Sequence, residues 1–337
     1  MLIGIILVII FLSILILVHE LGHFLAAKKF GLLVEEFGIG LPPRIWGKKI
    51  GETIYSVNWL PFGGFVKIYG ENREDEGGER NFSFLSSWKS AITLFAGVFM
   101  NFLLGWMVIS LVFAMGAPEA VLITDVSADG PAAAAGLMSG DRVVGFSRVD
   151  ELQSFIKNNQ GEEIILKAER QGKILDFNLT PRVDVPEGQG PLGLILIQAG
   201  FPKTGFWESV SEGLKFSVET IGVIFQFLFN LIKGVFIGEA DFSQIAGPVG
   251  IVKITYQAGA MGLVYVLNLL GLISLNLVVL NILPFPALDG GRLLFLLLEK
   301  IKGSPLPLKF ERYANAFGMV ILLILMIAIT VKDIIRF

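Results

Sequence analysis

Long apolar segments dominate the chain, and their lengths predict transmembrane helices. They cover residues 2 to about 30, 91 to about 115, 263 to about 298 and 317 to about 331, and the third is interrupted by prolines. A helix rises about 1.5 Å per residue and a bilayer core is about 30 Å thick, so about 20 apolar residues suffice to cross it. The pattern therefore predicts about four transmembrane helices.

Residues 31–70 follow a different pattern, in which glycine and proline separate short stretches of alternating polar and apolar residues. Segment 37–43 is rich in turn formers, segment 53–60 alternates, and segment 61–68 contains paired glycines. This favours short strands joined by glycine turns, a β-hairpin region that partly enters the membrane. Non-helical backbone at that depth must be buried in protein or line a wet cavity. An ordinary cytoplasmic hairpin stays open as the alternative.

Residues 118–184 regain charge and favour an inserted α+β domain. Strand-like segments cover 120–123, 142–146, 163–167 and 174–179, and Val149–Asn158 favours a short helix. The pattern that begins at Ser127 and continues through Pro131, Gly136 and Asp141 resembles a bacterial PDZ domain. That resemblance implies a domain that binds peptide ends by strand addition. A structural plug without a ligand is the alternative.

The apolar segment 214–229 carries Lys215 and Glu219, so it is not uniformly apolar. It predicts an amphipathic helix that lies along the outer membrane interface, whereas a further span would reverse the topology downstream. The chain then divides into an N-terminal membrane part (1–117), the PDZ-like domain (118–184), a linker with the interfacial helix (185–260) and a C-terminal membrane part (261–337). The predicted fold is a polytopic α-helical membrane protein with a membrane-associated β-hairpin region and one inserted extracytoplasmic PDZ-like domain.

Composition agrees with a membrane protein. The 337 residues are 53% hydrophobic and 17% charged, with a mean hydropathy of +0.70, whereas soluble proteins carry about 25% charged residues. The net charge of −3 gives no reason to expect nucleic acid as a partner. The chain has no cysteine, which excludes disulfides and thiolate zinc ligands.

Basic residues predict the orientation in the bilayer. Lys28, Lys29, Arg44, Lys48 and Lys49 follow the first span, and Arg292, Lys300, Lys302, Lys309 and Arg312 follow the third apolar stretch. Short loops rich in lysine and arginine stay in the cytoplasm. The N-terminus and the PDZ-like domain are therefore expected outside the cytoplasm.

Candidate chemistry begins with His19-Glu20-Leu21-Gly22-His23 inside the first apolar run, which holds the only two histidines of the chain. Residues four apart share one helix face, so the two imidazoles can bind one metal ion and Glu20 lies beside it as a candidate general base. A chance motif, or a core helix with hydrogen-bonded histidines, is the alternative. Ionisable groups at membrane depth favour function.

A second motif surrounds Asp289. Pro284 and Pro286 break the third apolar stretch just before it, which frees backbone groups inside the membrane. A catalytic zinc site uses three protein ligands, and His19, His23 and Asp289 would complete that set. Taken alone, Asp289 could instead cap the helix that follows.

The second apolar segment carries small or polar residues at four-residue spacing, Gly97, Asn101 and Gly105. This favours close helix packing, with Asn101 as an interhelical hydrogen-bonding group. A direct role of Asn101 at the site is the alternative.

Together these motifs make the chain similar to the site-2 protease family of intramembrane zinc metalloproteases, in the branch of the bacterial regulator-of-sigma-E protease. The resemblance covers the whole chain and includes Gly247-Pro248-Val249-Gly250 and the pattern Asn281-x-x-Pro284-x-x-x-Leu288-Asp289-Gly290. Well-studied members carry two PDZ domains in tandem, whereas this sequence predicts one.

The resemblance implies a metalloendopeptidase with Zn²⁺ as cofactor, in the bacterial inner membrane with its active site toward the cytoplasm. Its substrates would be single-span membrane proteins, such as an anti-sigma factor already cut by another protease, or signal-peptide remnants. It also implies that Asn281 and Pro284 position the substrate.

Two other functions stay open at this stage. The first is a catalytically silent membrane scaffold that binds peptide ends through its PDZ-like domain. The second is a transporter, suggested by the broken helix, although the two halves show no internal repeat.

Overall fold

The computed structural model describes residues 2–71, 80–170, 172–186, 188–239, 242 and 245–336. The helices are α1 (Leu2–Lys29), α2 (Ser87–Met115), α3 (Pro131–Ala134), α4 (Val149–Asn158), α5 (Phe206–Ile237), α6 (Pro248–Met261), α7 (Leu263–Ile282), α8 (Asp289–Lys302) and α9 (Leu308–Arg336). The strands are β1 (Val34–Ile50), β2 (Thr53–Ile68), β3 (Ala117–Val126), β4 (Arg142–Val144), β5 (Ile164–Arg170), β6 (Lys173–Leu179) and β7 (Leu194–Phe201). The described chain forms two compact units.

Five of the described helices are long and apolar enough to cross a membrane, namely α1, α2, α5, α7 and α9. The sequence predicts about four spans, and α5 is the helix in excess. It is a continuous 32-residue helix that runs through Lys215 and Glu219, so it is longer than the predicted segment 214–229. The break in the third apolar stretch is present, because α7 ends at Ile282 and α8 starts at Asp289.

The hairpin region is a small antiparallel sheet made of β1 and β2, both of which bend. Phe37 pairs with Val66 on one side and with Tyr55 on the other, while residues 44–50 pair with 53–58. Residues 34–39 therefore lie between segments 64–68 and 54–57. The turn-rich segment 37–43 lies within β1 rather than between strands.

The second unit, Ser110–Ser209 with Gln257–Val266, contains a five-stranded antiparallel sheet in the order β6-β5-β4-β3-β7. Its core includes Val121, Leu152 and Leu166, from β3, α4 and β5. α4 has the predicted bounds. β7 pairs with β3 although it lies beyond residue 184, where the predicted domain ends, because the proline- and glycine-rich segment before it hides the strand.

Asp141 of the PDZ-like motif has a structural role in this unit. Its side chain is 1% exposed and forms an ion pair with Arg170, with Nη2 and Oδ2 2.6 Å apart. It also accepts a hydrogen bond from the backbone N–H of Met138 at 2.9 Å. The carboxylate thus joins the turn before β4 to the end of β5.

Glycines allow the helices of the first unit, Met1–Ile109 with Val210–Tyr256 and Leu267–Phe337, to pack closely. A Cβ at Gly22 of α1 would lie 2.2 Å from the carbonyl oxygen of Ala96 in α2, and a Cβ at Gly105 would lie 2.7 Å from the Leu275 side chain in α7. Small residues at such positions let helix backbones approach each other in a membrane. α2 is therefore held between α1 and α7.

The C-terminal part of α9 binds the start of α6. Asp333, 2% exposed, accepts hydrogen bonds through Oδ2 from the backbone N–H groups of Gly247 and Gly250, at 2.9 and 2.8 Å. A Cβ at Gly4 in α1 would lie 2.9 Å from the Val252 carbonyl oxygen. The start of α1, the first turns of α6 and the end of α9 therefore meet.

Candidate metal centre

The two histidines of α1 face each other across one helical turn, as the four-residue spacing predicts. Their Nε2 atoms are 3.1 Å apart, and the residues are 9% and 8% exposed. Two buried imidazole nitrogens therefore point toward a common space.

Asp289 completes this cluster from the C-terminal part of the chain. Its Oδ2 lies 3.0 Å from Nε2 of His19 and 3.5 Å from Nε2 of His23. The three candidate ligand atoms lie within 4.8 Å of one another. The structure thus brings together the three side chains that the sequence nominates as metal ligands.

The loop between α7 and α8 presents Asp289 to the histidines. Ala287 adopts φ = 78°, a left-handed conformation that is strained for a residue with a side chain. Its N–H donates to Oδ1 of Asn315 in α9 at 3.1 Å, which holds this conformation. Leu288 is the N-cap of α8, and within the described chain no side-chain hydrogen bond caps that end. Asp289 is therefore not the helix cap.

Two glycines let the first turn of α8 pack onto this loop. A Cβ at Gly290 would lie 2.1 Å from the Leu283 carbonyl oxygen, and a Cβ at Gly291 would lie 2.3 Å from that of Phe285. Contacts this short with backbone atoms exclude any side chain. The paired glycines after Asp289 thus fix the carboxylate at the point where the chain re-enters a helix.

Helix α2 contacts the far side of both rings. Nδ1 of His23 lies 2.8 Å from the Thr93 carbonyl oxygen, and since a carbonyl only accepts, Nδ1 carries the hydrogen. The lone pair of neutral His23 is then on Nε2, facing Asp289. On the other ring, Nδ1 of His19 lies 3.3 Å from Nδ2 of Asn101.

Gly97 lies directly beside the cluster. A Cβ at this position would lie 2.5 Å from Nε2 of His23 and 2.7 Å from Cε1 of His19. A side chain would therefore enter the space that the three ligand atoms face. The sequence predicts helix packing for Gly97 and Gly105 alike, and both lie against another helix: Gly105 against Leu275 of α7, and Gly97 against the two histidines of α1.

Glu20 is held by the hairpin region. Its Oε2 accepts a hydrogen bond from the backbone N–H of Val66 in β2, at 3.1 Å. Gly63 lies against Ile16 of α1, where a Cβ would be 2.9 Å from the Ile16 side chain. β2 therefore packs on α1 one turn before the histidines, and its backbone reaches the carboxylate next to them.

Asn281 and Pro284 lie at the end of α7 and in the loop that follows. Within the described residues, neither makes a hydrogen bond to His19, His23 or Asp289. Thr93 and Val66 are site residues that sequence reasoning missed. Thr93 acts through its carbonyl, which every residue type has, and Val66 acts through its N–H, which every residue type except proline has. No residue signal could therefore have found them.

The cluster fits a zinc ion. Oδ2 of Asp289 is buried and receives no hydrogen bond of good geometry from the described part of the chain, although two ring nitrogens lie within 3.5 Å. A cation satisfies three such converging atoms at once. Two imidazole nitrogens and one carboxylate oxygen form a set that zinc accepts, and the described residues offer no fourth protein ligand, as in catalytic rather than structural zinc sites.

Comparison with known proteins gives matches along nearly the whole chain. The family model of peptidase family M50 matches residues 7–325. A protein of Clostridium perfringens, named as a candidate zinc metalloprotease, is 34% identical over 330 residues and covers 96% of both chains. Zinc metalloprotease RasP of Geobacillus kaustophilus is 28% identical over 408 residues, and the regulator of sigma-W protease RasP of Bacillus subtilis is 28% identical over 409 residues, each with 96% of both chains covered.

Proposed function

The chain belongs to peptidase family M50 and is a multi-pass membrane zinc metalloprotease, and we propose that His19, His23 and Asp289 hold its zinc ion. In this proposal the enzyme hydrolyses a peptide bond within or near a transmembrane helix of a membrane-protein substrate. The observation that carries it is the convergence of the three ligand atoms within 4.8 Å. Glu20 is the general base.

Glu20 and Val66 have separate roles in the proposed hydrolysis. Bound zinc supplies Lewis-acid chemistry, which polarises the scissile carbonyl and acidifies a water molecule. Glu20 takes a proton from the attacking water and delivers it to the nitrogen of the leaving amine. The hydrogen bond from Val66 to Oε2 holds the Glu20 carboxylate in place for both transfers.

The hairpin sheet offers a place for an unwound substrate. A peptide bond inside a helix is shielded by its own hydrogen bonds, and backbone groups freed in lipid cost several kcal/mol each, as an order of magnitude. Segment 64–68 lies at one edge of the sheet, and the N–H of Val66 at this segment points to Glu20. A substrate strand added at this edge would lie next to the general base. Asn281 and Pro284, near the same loop as Asp289, are the residues expected to position that strand.

One contact in the first turns of α5 and two contacts after its end support four spans, with α5 on the outer interface. Near its start, the Val210 carbonyl accepts a hydrogen bond from Nε1 of Trp106, in the C-terminal half of α2, at 2.9 Å. After its end, Gly247 and Gly250 bind Asp333 near the C-terminus of α9. With α2 and α9 both running outward, α5 would start and end on one side of the membrane.

One further contact and the basic residues support the proposed orientation. α9 starts near the Asp289 loop, where a Cβ at Gly318 would lie 2.3 Å from the Pro286 carbonyl oxygen, and Asp333 is about 22 Å further along the helix. The basic residues that follow α1 and Asp289 favour the cytoplasm for the metal centre. The proposed location is the bacterial inner membrane, with the N-terminus outside.

We assign the second unit to an extracytoplasmic PDZ-like domain, residues 118–184 extended to include β7. Its sheet order, the short helix α4 and the buried Asp141 support this assignment. β7 is an edge strand, and such edges bind peptide ends by strand addition. The Bacillus subtilis relative is named for sigma-W regulation, which supports single-span anti-sigma factors as substrates.

The number of ligands favours an enzyme over a silent scaffold. A structural zinc site is closed by four protein ligands, whereas a catalytic site keeps one position open. The described residues bring three ligands together. A zinc ion held by these three side chains would keep a position for water and substrate.

The test is a cleavage assay in which the purified protein and a single-span substrate share proteoliposomes. The wild type should cleave the substrate. Glu20→Gln should lower the cleavage rate about 10²–10⁴-fold, the usual contribution of a general base, and should retain its zinc. Glu151→Gln, at an exposed position of α4, is the matched control and should cleave normally. Comparable proteolysis by Glu20→Gln would reject the mechanism.

A further inference from the structure

Asn101 has surroundings that helix packing leaves unexplained. Its side chain in α2 is fully buried (0% exposed), and its Oδ1 has no hydrogen-bond partner among the residues that the structure describes. Its backbone carbonyl accepts a hydrogen bond from Oγ of Ser274 in α7 at 2.8 Å, which fixes its position. A buried and unpaired amide oxygen is unfavourable and calls for an explanation.

The protonation of a metal-binding histidine explains the unpaired amide oxygen of Asn101. A neutral imidazole has one N–H and one lone pair, so His19 can bind zinc through Nε2 only if Nδ1 carries the hydrogen. The Nδ2 group of Asn101, 3.3 Å away, would then put a donor against a donor. Rotation of the amide by half a turn exchanges Oδ1 and Nδ2 with little change of shape, and places an acceptor there.

We propose that Asn101 is a positioning residue for the zinc ligand His19, with its Oδ1 accepting a hydrogen bond from Nδ1–H. This inference rests on the proposed function, because it requires Nε2 of His19 to be a ligand. The Thr93 carbonyl does the same for His23. Positions 93, 97 and 101 lie on one face of α2, so a single helix orients both rings while Gly97 leaves room between them.

The test compares two substitutions of similar volume, Asn101→Leu and Asn101→Asp, in the full chain in detergent. Leucine removes the acceptor, whereas aspartate keeps it, as in the carboxylate–histidine–zinc arrangement. Zinc affinity is measured by competition with a chelator, and folding by thermal unfolding. Asn101→Leu should weaken zinc binding about 10–100-fold and Asn101→Asp should restore most of it, since loss of such an outer partner has effects of this size. Gly105→Ala, on the same helix face but against Leu275, should change thermal stability and leave zinc affinity unaltered.

A second measurement needs no substitution at position 101. Because the chain has only two histidines, nitrogen-15 labelling of histidine gives two imidazoles whose protonated nitrogens can be read by NMR in the zinc-loaded wild type. Both rings should carry the hydrogen on Nδ1. An unprotonated Nδ1 on His19, or wild-type zinc affinity in Asn101→Leu, overturns this inference. A wild type that binds no zinc rejects the proposed function itself.

Discussion

Oδ2 of Asp289 lies 3.0 Å from Nε2 of His19, although the two residues belong to opposite ends of the chain. α1 supplies the imidazole, and the loop between α7 and α8 supplies the carboxylate. Both groups are largely buried, and no described residue gives the carboxylate oxygen a hydrogen bond of good geometry. A shared cation therefore explains the contact better than an ion pair alone.

Substitution of the carboxylate should weaken the metal site. Asp289→Asn keeps the volume of the side chain but replaces an anionic ligand with a weak neutral one. Its zinc-to-protein ratio after dialysis should fall well below that of the wild type, as measured by atomic emission. An unchanged ratio would remove Asp289 from the ligand set.

A substitution at Gly97 independently tests whether the space between His19 and His23 belongs to the metal site. In Gly97→Ala, a methyl group would lie 2.5 Å from Nε2 of His23, so zinc affinity should fall about tenfold or more by chelator competition, comparable to loss of an outer partner. Gly105→Ala is the control for helix packing. Equal zinc affinity in the two alanine variants would show that the space beside Gly97 is not part of the metal site.

Asp333 should contribute to stability rather than to catalysis. Asp333→Ala leaves two buried backbone N–H groups without an acceptor and should cost about 1–3 kcal/mol, measured by thermal unfolding in detergent. Asp333→Asn keeps an oxygen acceptor and should cost less. The prediction fails if the alanine variant unfolds at the wild-type temperature.

Glu52, in the turn between β1 and β2, gives the protein a pH-dependent contact. Hydrogen bonds from Arg80 and then from Lys28, both at 2.7 Å, lower the pKa of its carboxyl from 4.5 to about 2. Because the folded pKa is the lower one, the stabilisation is present above pH 4.5 and is lost as the pH falls toward 2. The unfolding temperature of the wild type should therefore fall toward that of Glu52→Gln between pH 5 and about pH 2. A constant difference between the two proteins across this range would contradict the prediction.

The histidine pair shows what sequence reasoning can provide. Four-residue spacing on a helix fixes a common face, so the approach of His19 to His23 follows from the sequence alone. Asp289 could be nominated because a proline break inside an apolar stretch makes an acidic residue costly there. Its distance from the histidines depends on helix packing, which periodicity does not encode.

Other features could not be predicted from the sequence, because they do not depend on which side chain occupies a position or because their sequence pattern also fits another structure. The Thr93 carbonyl and the Val66 N–H are backbone groups, and Gly97 has the same sequence pattern as a packing glycine. β7 follows a segment rich in proline and glycine that resembles a linker. The role of α5 depends on which helices its flanking residues contact, since its length and composition alone also permit a span.

Zinc X-ray absorption of the purified wild-type protein tests the central claim most directly. The account predicts a single zinc ion per chain, with two imidazole nitrogens at about 2.0–2.1 Å and oxygen ligands at about 2.0–2.2 Å, and loss of the metal in a His19→Ala, His23→Ala double variant. A wild type without stoichiometric zinc, or a spectrum with fewer than two imidazoles, would contradict it.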